Sequence, residues 1–327
     1  DRLSAPAAAR WHRWWHKRLT GRAVSTSAKS PDVGSVVWYA QDPVSAAEVR
    51  TRVPGALRLV AMCHYSGGSE AAELVMRGVC PADHALLTRI RAAEQSSLRD
   101  VDAVCFVSSH ARDAVLGAVG PLDVPLHVVP NWVEPPKSCV KSDAAADLVS
   151  VGSLNPIKRH MLQLELLAAA RRRGRDVRLD VVGGGLELDS LLAASRRLGV
   201  DDLVTFHGER HDVEAALGGH RAFLHTSTAE TFGLAVVEAM SQGLPALVVP
   251  VGGLADIVTD GIDGRHLPAE DIETAASVLL ETLDDPERLS AMGRAARETV
   301  LEHFTSEAVL PKLMAALGVD QFVNEVP

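Results

Sequence analysis

The sequence predicts an α/β protein in which two parallel-sheet domains share 327 residues. Three observations lead there. Short apolar runs alternate with helical patterns along most of the chain, the order of a parallel sheet crossed by helices. Near the middle, Asn131 to Asp147 (NWVEPPKSCVKSDAAAD) has prolines, Ser and Lys but no periodicity, and reads as a linker. Gly-rich or small polar turns recur after the apolar runs, at the sheet edge where open α/β folds bind ligands. The expected division is a first domain over residues 1–135, a linker over 136–146, a second domain over 147–304 and a last helix over 305–327.

In the first half, Ser35 to Ala40 (SVVWYA) and Leu57 to Cys63 (LRLVAMC) read as strands, with a helix opening in QDPVSAAEV between them. A helical stretch over Ala82 to Arg99 leads to the strand Ala103 to Val107. Ser108 and Ser109 then cap the helix HARDAVLGAV, and Leu126 to Val129 is the last strand before the linker.

The second half repeats the alternation. Strand Leu148 to Val151 is followed by the turn Gly152 to Lys158 and by a helix from His160 to Arg173, which Gly174 stops. Arg171 to Arg173 stand at the negative end of that helix and read as a solvated, dipole-matched run. Strand Arg178 to Val182 runs into Gly183-Gly184-Gly185, then come helix Asp189 to Leu198, strand Leu203 to Phe206 and a short helix, Asp212 to Leu217. Arg221 to His225 is a buried strand, Ala246 to Val249 another, and Leu254 to Val258 a helix. Asp260 to Gly264 is a turn, and three helices close the chain: Ile272 to Leu283, Pro286 to Val300 and Ser306 to Leu317.

Composition narrows the function. Hydrophobic residues at 47% and charged residues at 23% describe a globular chain, and a net charge of −9 argues against bulk nucleic-acid binding. The four cysteines are irregularly spaced with no C-x-x-C, as reduced thiols are; with no signal peptide or spanning run visible, the expected location is cytoplasmic. Arg10 to Arg18 (RWHRWWHKR) sets Trp11, Trp14 and Trp15 beside cations. It suits either a surface helix packed on its own domain or a weak peripheral contact with the inner face of a membrane. Metal chemistry is not expected: Asp100-Val101-Asp102 precedes a strand and reads as a solvated turn, and no metal-ligand motif is present.

The chemistry centres on Thr226 to Gln242 (TSTAETFGLAVVEAMSQ), where Glu230 and Glu238 stand eight residues apart. A polar loop passes into a helix at about Phe232, whose buried side is marked by Leu234, Val237 and Met240. The amides of Phe232, Gly233 and Leu234 are then among the first of the helix, without intrahelical partners, and suit a phosphate. Carboxylates flanking such a site suit sugar and ribose hydroxyls, although spacing alone equally fits a capping Glu and a solvated one.

The stretch resembles the Glu-x7-Glu motif of retaining glycosyltransferases with the GT-B fold, the glycosyl transferases group 1 that include bacterial α-mannosyl and α-glucosyl transferases. Other loops match in chain order. VGSLNPIKR resembles V-G-R-L-x-x-x-K-G, with Ser153 at the Arg position, Lys158 matching and Arg159 at the Gly position. VVGGGLELDSL, FHGERHDV and VGGLADIVTDGIDGRHL are similar to three further family blocks, the last with Asp256 replacing Glu. VVPNWVE is similar to I-P-N-G-V-D with Trp132 at the glycine, and AMCHYSGG to a strand-His-loop.

The resemblance implies two Rossmann-like domains facing a cleft, with the last helix returning to the first domain. The Gly-rich loop that usually opens the fold is not seen, so the amino-terminal domain is expected to be incomplete or reduced. It implies retaining, metal-independent transfer from a nucleotide diphosphate sugar to an acceptor hydroxyl of a sugar, lipid-linked sugar or small molecule, with no cofactor and no covalent glycosyl-enzyme. Lys158 would meet the diphosphate, Glu230 the sugar and His64 the sugar from the other domain. Gly152, Ser153, Arg159, Gly183, Gly184, Glu209, Arg210, Phe232, Gly233, Leu234 and Glu238 would line the donor, with Glu238 on the ribose. The rivals are an epimerase or sugar phosphorylase on the same fold and a non-catalytic partner subunit.

Overall fold

The computed structural model describes residues 37–53, 58–65, 68–76, 85–137 and 146–318. The Arg10 to Arg18 segment, Cys80 and Cys139 lie outside them. The described residues form two compact units: those up to Pro130 together with those from Val309 onward, and Asn131–Ala308.

The first unit holds β1 (Val37–Ala40), α1 (Pro43–Arg52), β2 (Arg58–Cys63), α2 (Glu70–Met76), α3 (Ala85–Arg99), β3 (Ala103–Phe106), α4 (Ser109–Val119) and β4 (Leu126–Val128). Its four strands are parallel in the order β1-β2-β3-β4. The predicted cap of α4 forms at Ser108, whose Oγ accepts from Ala111 N at 3.0 Å, and α1 is capped by Asp42, which accepts from Ser45 N at 2.8 Å before Pro43. β2 and β3 are buried on both faces, and Cys63 and Cys105 lie in them as free thiols. The Asp100–Asp102 turn is not simply solvated. Asp102 Oδ2 accepts from Leu59 N at 2.7 Å and pairs with Arg50 at 3.3 Å, which fixes the start of β2. α2 is a further helix that sequence patterning does not separate from the loop around it.

The second unit runs β5 (Leu148–Val151), a 3-10 turn (Pro156–Lys158), α5 (His160–Arg172), β6 (Leu179–Val182), α6 (Leu188–Leu198), β7 (Val204–Gly208), α7 (Val213–Leu217), β8 (Ala222–His225), α8 (Leu234–Ser241), β9 (Ala246–Val248), α9 (Leu254–Ile257), β10 (Gly264–His266), α10 (Ile272–Leu283) and α11 (Pro286–His303). A last helix, α12 (Ser306–Leu317), crosses into the first unit, where Arg58 donates to the Ala316 carbonyl at 3.1 Å.

Six parallel strands are ordered β10-β9-β8-β5-β6-β7. Chain order runs one way from β5 and the other way from β8, so the topological switch point lies between these two neighbours. Leu148, Leu164, Leu167, Leu179, Leu224, Leu247 and Leu279 pack one core on the sheet. β10 replaces part of the expected turn: Gly-Arg-His carries no apolar signal, and pairing with β9 makes it a strand.

The Arg171–Arg173 run is tied down rather than solvated. Arg171 bonds Asp176 and, through two nitrogens, Asp202, while Arg172 and Arg173 share Glu273 of α10. Exposed pairs of this kind contribute little each, but they fix α5 against its neighbours.

Candidate functional site

Two loops flank the switch point, one after β5 and one after β8. Asn155 caps the 3-10 turn, accepting from Lys158 N at 3.2 Å and donating to Ser153 Oγ at 2.7 Å. The Ser153 hydroxyl is therefore part of the turn. The loop after β8 bonds to this turn directly: Thr228 N donates to Ile157 O at 2.8 Å, and Thr226 Oγ1 reaches the carbonyls of Lys158 and Arg159 at 3.2 and 3.1 Å.

Arg159 follows with φ at +52°, the single positive value at a non-glycine among the described residues. A side chain there costs about 1–3 kcal/mol, which explains why glycine suits the position in the family motif. Its guanidinium points to Ala269 O at 3.3 Å and Glu270 at 3.9 Å. Arg159 is thus held by the loop before α10 and does not take the place of the missing motif arginine beside Lys158.

This stitching brings Lys158 and Glu230 together across 72 residues, with Nζ 2.6 Å from Oε2. His225, at the end of β8, places Nε2 3.1 Å from the same oxygen, and Ser227 Oγ lies 2.9 Å from that nitrogen. Burial alone would raise the Glu230 carboxyl; the His225 hydrogen bond and the Lys158 charge more than offset it and hold the group at about 2. The Glu230 loop is also fixed from behind. Gly252, at φ +59°, packs so closely that a Cβ would overlap the Glu230 carbonyl oxygen, and Gly253 N donates to that oxygen at 3.0 Å.

Behind this group, His160 is buried at the start of α5 with Nδ1 unpaired, and burial first, then His225 and Lys158, push it down to about 4. The folded state therefore takes up this proton later than the unfolded chain, so the stabilisation is complete above about 6.5 and is lost as pH falls towards 4. Unfolding midpoints should drop across that window in wild type and drop less in His160→Gln. Equal slopes would remove His160 from the acid response.

The helix after Glu230 begins later than the sequence suggests. Gly233, at φ +107°, is the N-cap and α8 starts at Leu234; Val236 N is the first amide bonded back, to Gly233 O at 2.9 Å. The amides without intrahelical partners are therefore those of Gly233, Leu234 and Ala235, and Phe232 precedes them. The Phe232 side chain is buried edge-on against Phe304 at 5.5 Å, so it anchors the loop. Leu234 is exposed, not core; Val236, Val237, Ala239 and Met240 form the buried side. At the other end of α8, Arg297 donates to the Ser241 carbonyl and, at 2.7 Å, to Pro136 O.

Glu238 does not join the Lys158 cluster. Half-buried, it lines a cavity of about 260 Å³ with Trp132, Glu134, Glu214, Leu217 and Leu234. Its carboxylate has no partner among the described residues, and burial raises its pKa. A carboxylate left without a partner in a cavity is a candidate binding group.

The glycine loops sit beside the turn: Gly152 N donates to Val182 O at 3.0 Å, Gly183 N to Gly208 O at 2.8 Å, and Leu154 N to Gly184 O at 2.8 Å. Glu209 packs over Gly184, whereas Arg210 is exposed and paired twice with Asp212, at 2.9 and 2.6 Å. His64 belongs to the first unit, at the end of β2, where Nε2 is 3.1 Å from Gln41 Oε1.

With this geometry in place, residues 136–299 match the family of glycosyl transferases group 1. The chain belongs to that family. It is 28% identical over 296 residues to the GDP-mannose-dependent alpha-(1-6)-phosphatidylinositol monomannoside mannosyltransferase of Mycolicibacterium smegmatis, covering 84% of this chain and 73% of the relative. It is 35% identical over 151 residues to the D-inositol 3-phosphate glycosyltransferase of Segniliparus rotundus, covering 44% of this chain and 34% of that one. Among solved structures, HepE of Anabaena in complex with UDP and glucose superposes with a TM-score of 0.75 at 20% identity, over 92% of this chain and 81% of HepE. S. aureus TarM superposes with a TM-score of 0.74 at 17% identity, and there this chain spans only 58% of the neighbour. The fold is GT-B.

In this glycosyltransferase the residues that sequence reasoning misses are His225, Ser227 and Gly252. Their signal was a His at the end of the strand before Glu230, and a Gly pair after β9 that the motif contains but spacing cannot connect to Glu230. Among the described residues, no helix is long and apolar enough to cross a membrane.

Proposed function

We propose that this glycosyltransferase moves a hexosyl unit from a nucleoside diphosphate sugar to an acceptor hydroxyl with retention of anomeric configuration. The observation that carries the reading is the Lys158–Glu230 pair at the switch point, three residues before a helix N-terminus with open amides. In such a transfer the leaving diphosphate gains negative charge while the anomeric carbon becomes cationic. Lys158 and the amides of Gly233, Leu234 and Ala235 supply fixed positive potential to the diphosphate. Glu230 accepts hydrogen bonds from the sugar, and Glu238 accepts from the ribose in its cavity beside Trp132.

Because Lys158 already supplies the charge, the reaction needs no metal. The leaving phosphate takes the acceptor's proton, and no covalent glycosyl-enzyme forms. The relatives' names point to GDP-mannose as donor and to inositol-containing acceptors.

The test is release of nucleoside diphosphate from GDP-mannose and UDP-glucose, each with phosphatidylinositol monomannoside or D-inositol 3-phosphate, with and without EDTA. Transfer with an α-linked product, unchanged by EDTA, is the expected result; an inverted product or dependence on a metal contradicts it. Glu238→Ala is expected to raise the donor KM about tenfold with kcat nearly unchanged, because the ribose contact is the same in ground and transition states. A fall in kcat at constant KM would move Glu238 to the reacting sugar.

A further inference from the structure

Glu230 Oε2 is held by two donors of different character. Lys158 Nζ, 24% exposed, reaches it at 2.6 Å from a four-carbon stem. His225, 3% exposed, reaches it at 3.1 Å from the end of a central strand, its ring stacked on Phe223 with centroids 6.1 Å apart. Glu230 Oε1 has no partner among the described residues.

The proton on His225 can be assigned. The Glu230 carboxylate is ionised and can only accept, so Nε2 must carry the hydrogen; a lone pair 3.1 Å from that oxygen would repel it. Ser227 Oγ then shares the same N–H as a second acceptor, at 2.9 Å. Burial is the largest influence on the ring and lowers its pKa; the Glu230 bond opposes this and Lys158 reinforces it. His225 is therefore a neutral donor.

We infer that His225 is a positioning residue for sugar transfer: it holds the Glu230 carboxylate in place when Lys158 turns to the diphosphate. The inference rests on the roles proposed above for Lys158 and Glu230. A diphosphate carries more negative charge than one carboxylate and competes for the Lys158 ammonium, whose flexible stem can follow it. His225 is fixed in β8 and too deeply buried to meet the substrate, so its bond to Oε2 stays. Oε1 is left aimed by that bond, available to a sugar hydroxyl.

The test compares His225→Asn and His225→Gln in release of nucleoside diphosphate from GDP-mannose and UDP-glucose. A glutamine amide brings an N–H donor to about the place of Nε2, and an asparagine amide stops short of it. His225→Asn should lower kcat about ten- to a hundredfold while donor KM stays within about twofold, the size expected for losing one hydrogen bond to a charged group. His225→Gln should recover most of that loss. In a Glu230→Ala background, His225→Asn should cause no further fall in kcat, since the group it positions is gone. Equal loss in both variants, a loss in KM alone, or additivity with Glu230→Ala overturns the inference. If His225→Asn does not fold, His225→Gln decides: kcat within about threefold of wild type supports the inference, and a hundredfold loss overturns it. An active wild type with an unaffected asparagine variant overturns the His225 role alone. A wild type inactive with both donors overturns the transferase reading with it.

Discussion

Lys158→Ala should lower kcat/KM about 30- to 10³-fold, a loss of about 2–4 kcal/mol of transition-state stabilisation, the range for losing one fixed donor to a developing anion. No neighbour can replace it. Ser153 stands at the family's arginine position, but its hydroxyl accepts from Asn155 within the turn. Arg159 is next in sequence, yet its left-handed backbone sends the guanidinium to Ala269 and Glu270. Charge compensation of the diphosphate then falls to Lys158 and the α8 amides. The same substitution leaves the Glu230 carboxylate with His225 as its one donor, so its pKa should rise and some thermal stability should be lost. Steady-state kinetics with the donors above, beside a melting curve, separate the two effects. A Lys158→Ala enzyme within a few-fold of wild type would mean that the diphosphate is held elsewhere.

Glu230→Gln should lower kcat about 10²-fold with little change in donor KM. The amide keeps the size of the side chain but removes the charge that Lys158 and His225 both donate to, and it can turn an N–H toward donors at 2.6 and 3.1 Å. Hydrogen bonds to charged groups are worth about 1.5–3 kcal/mol each, and this change disturbs two within the protein as well as that to the sugar. Kinetic parameters at saturating acceptor provide the check. A variant that raises KM at constant kcat would place Glu230 on the nucleotide instead.

The element order is written in the sequence because each strand is short, apolar and bounded by glycine or polar turns, and each long helix carries an apolar stripe. The exceptions are physical. β10 carries Gly, Arg and His and becomes a strand only by pairing with β9, which no local pattern reveals. Phe232 looks helical, but Gly233 at positive φ delays the first turn, and that shift exposes Leu234 and moves the open amides one residue along. The motif carboxylates and Lys158 are legible one by one. Their relation is not: the ion pair spans 72 residues, and it forms because β5 and β8 are neighbours at a switch in strand order that only the folded sheet contains. Likewise, Glu230 and Glu238 look like a pair by spacing, whereas the first is satisfied by two donors and the second has none.

The decisive measurement is a crystal structure of the protein with GDP or UDP. The β-phosphate should lie within hydrogen-bond distance of Lys158 Nζ and of the Gly233, Leu234 and Ala235 amides. The ribose should lie on Glu238, and the Lys158–Glu230 pair should lengthen from 2.6 Å while His225 stays on Oε2. A nucleotide bound with its phosphates away from Lys158 and the α8 N-terminus would contradict it.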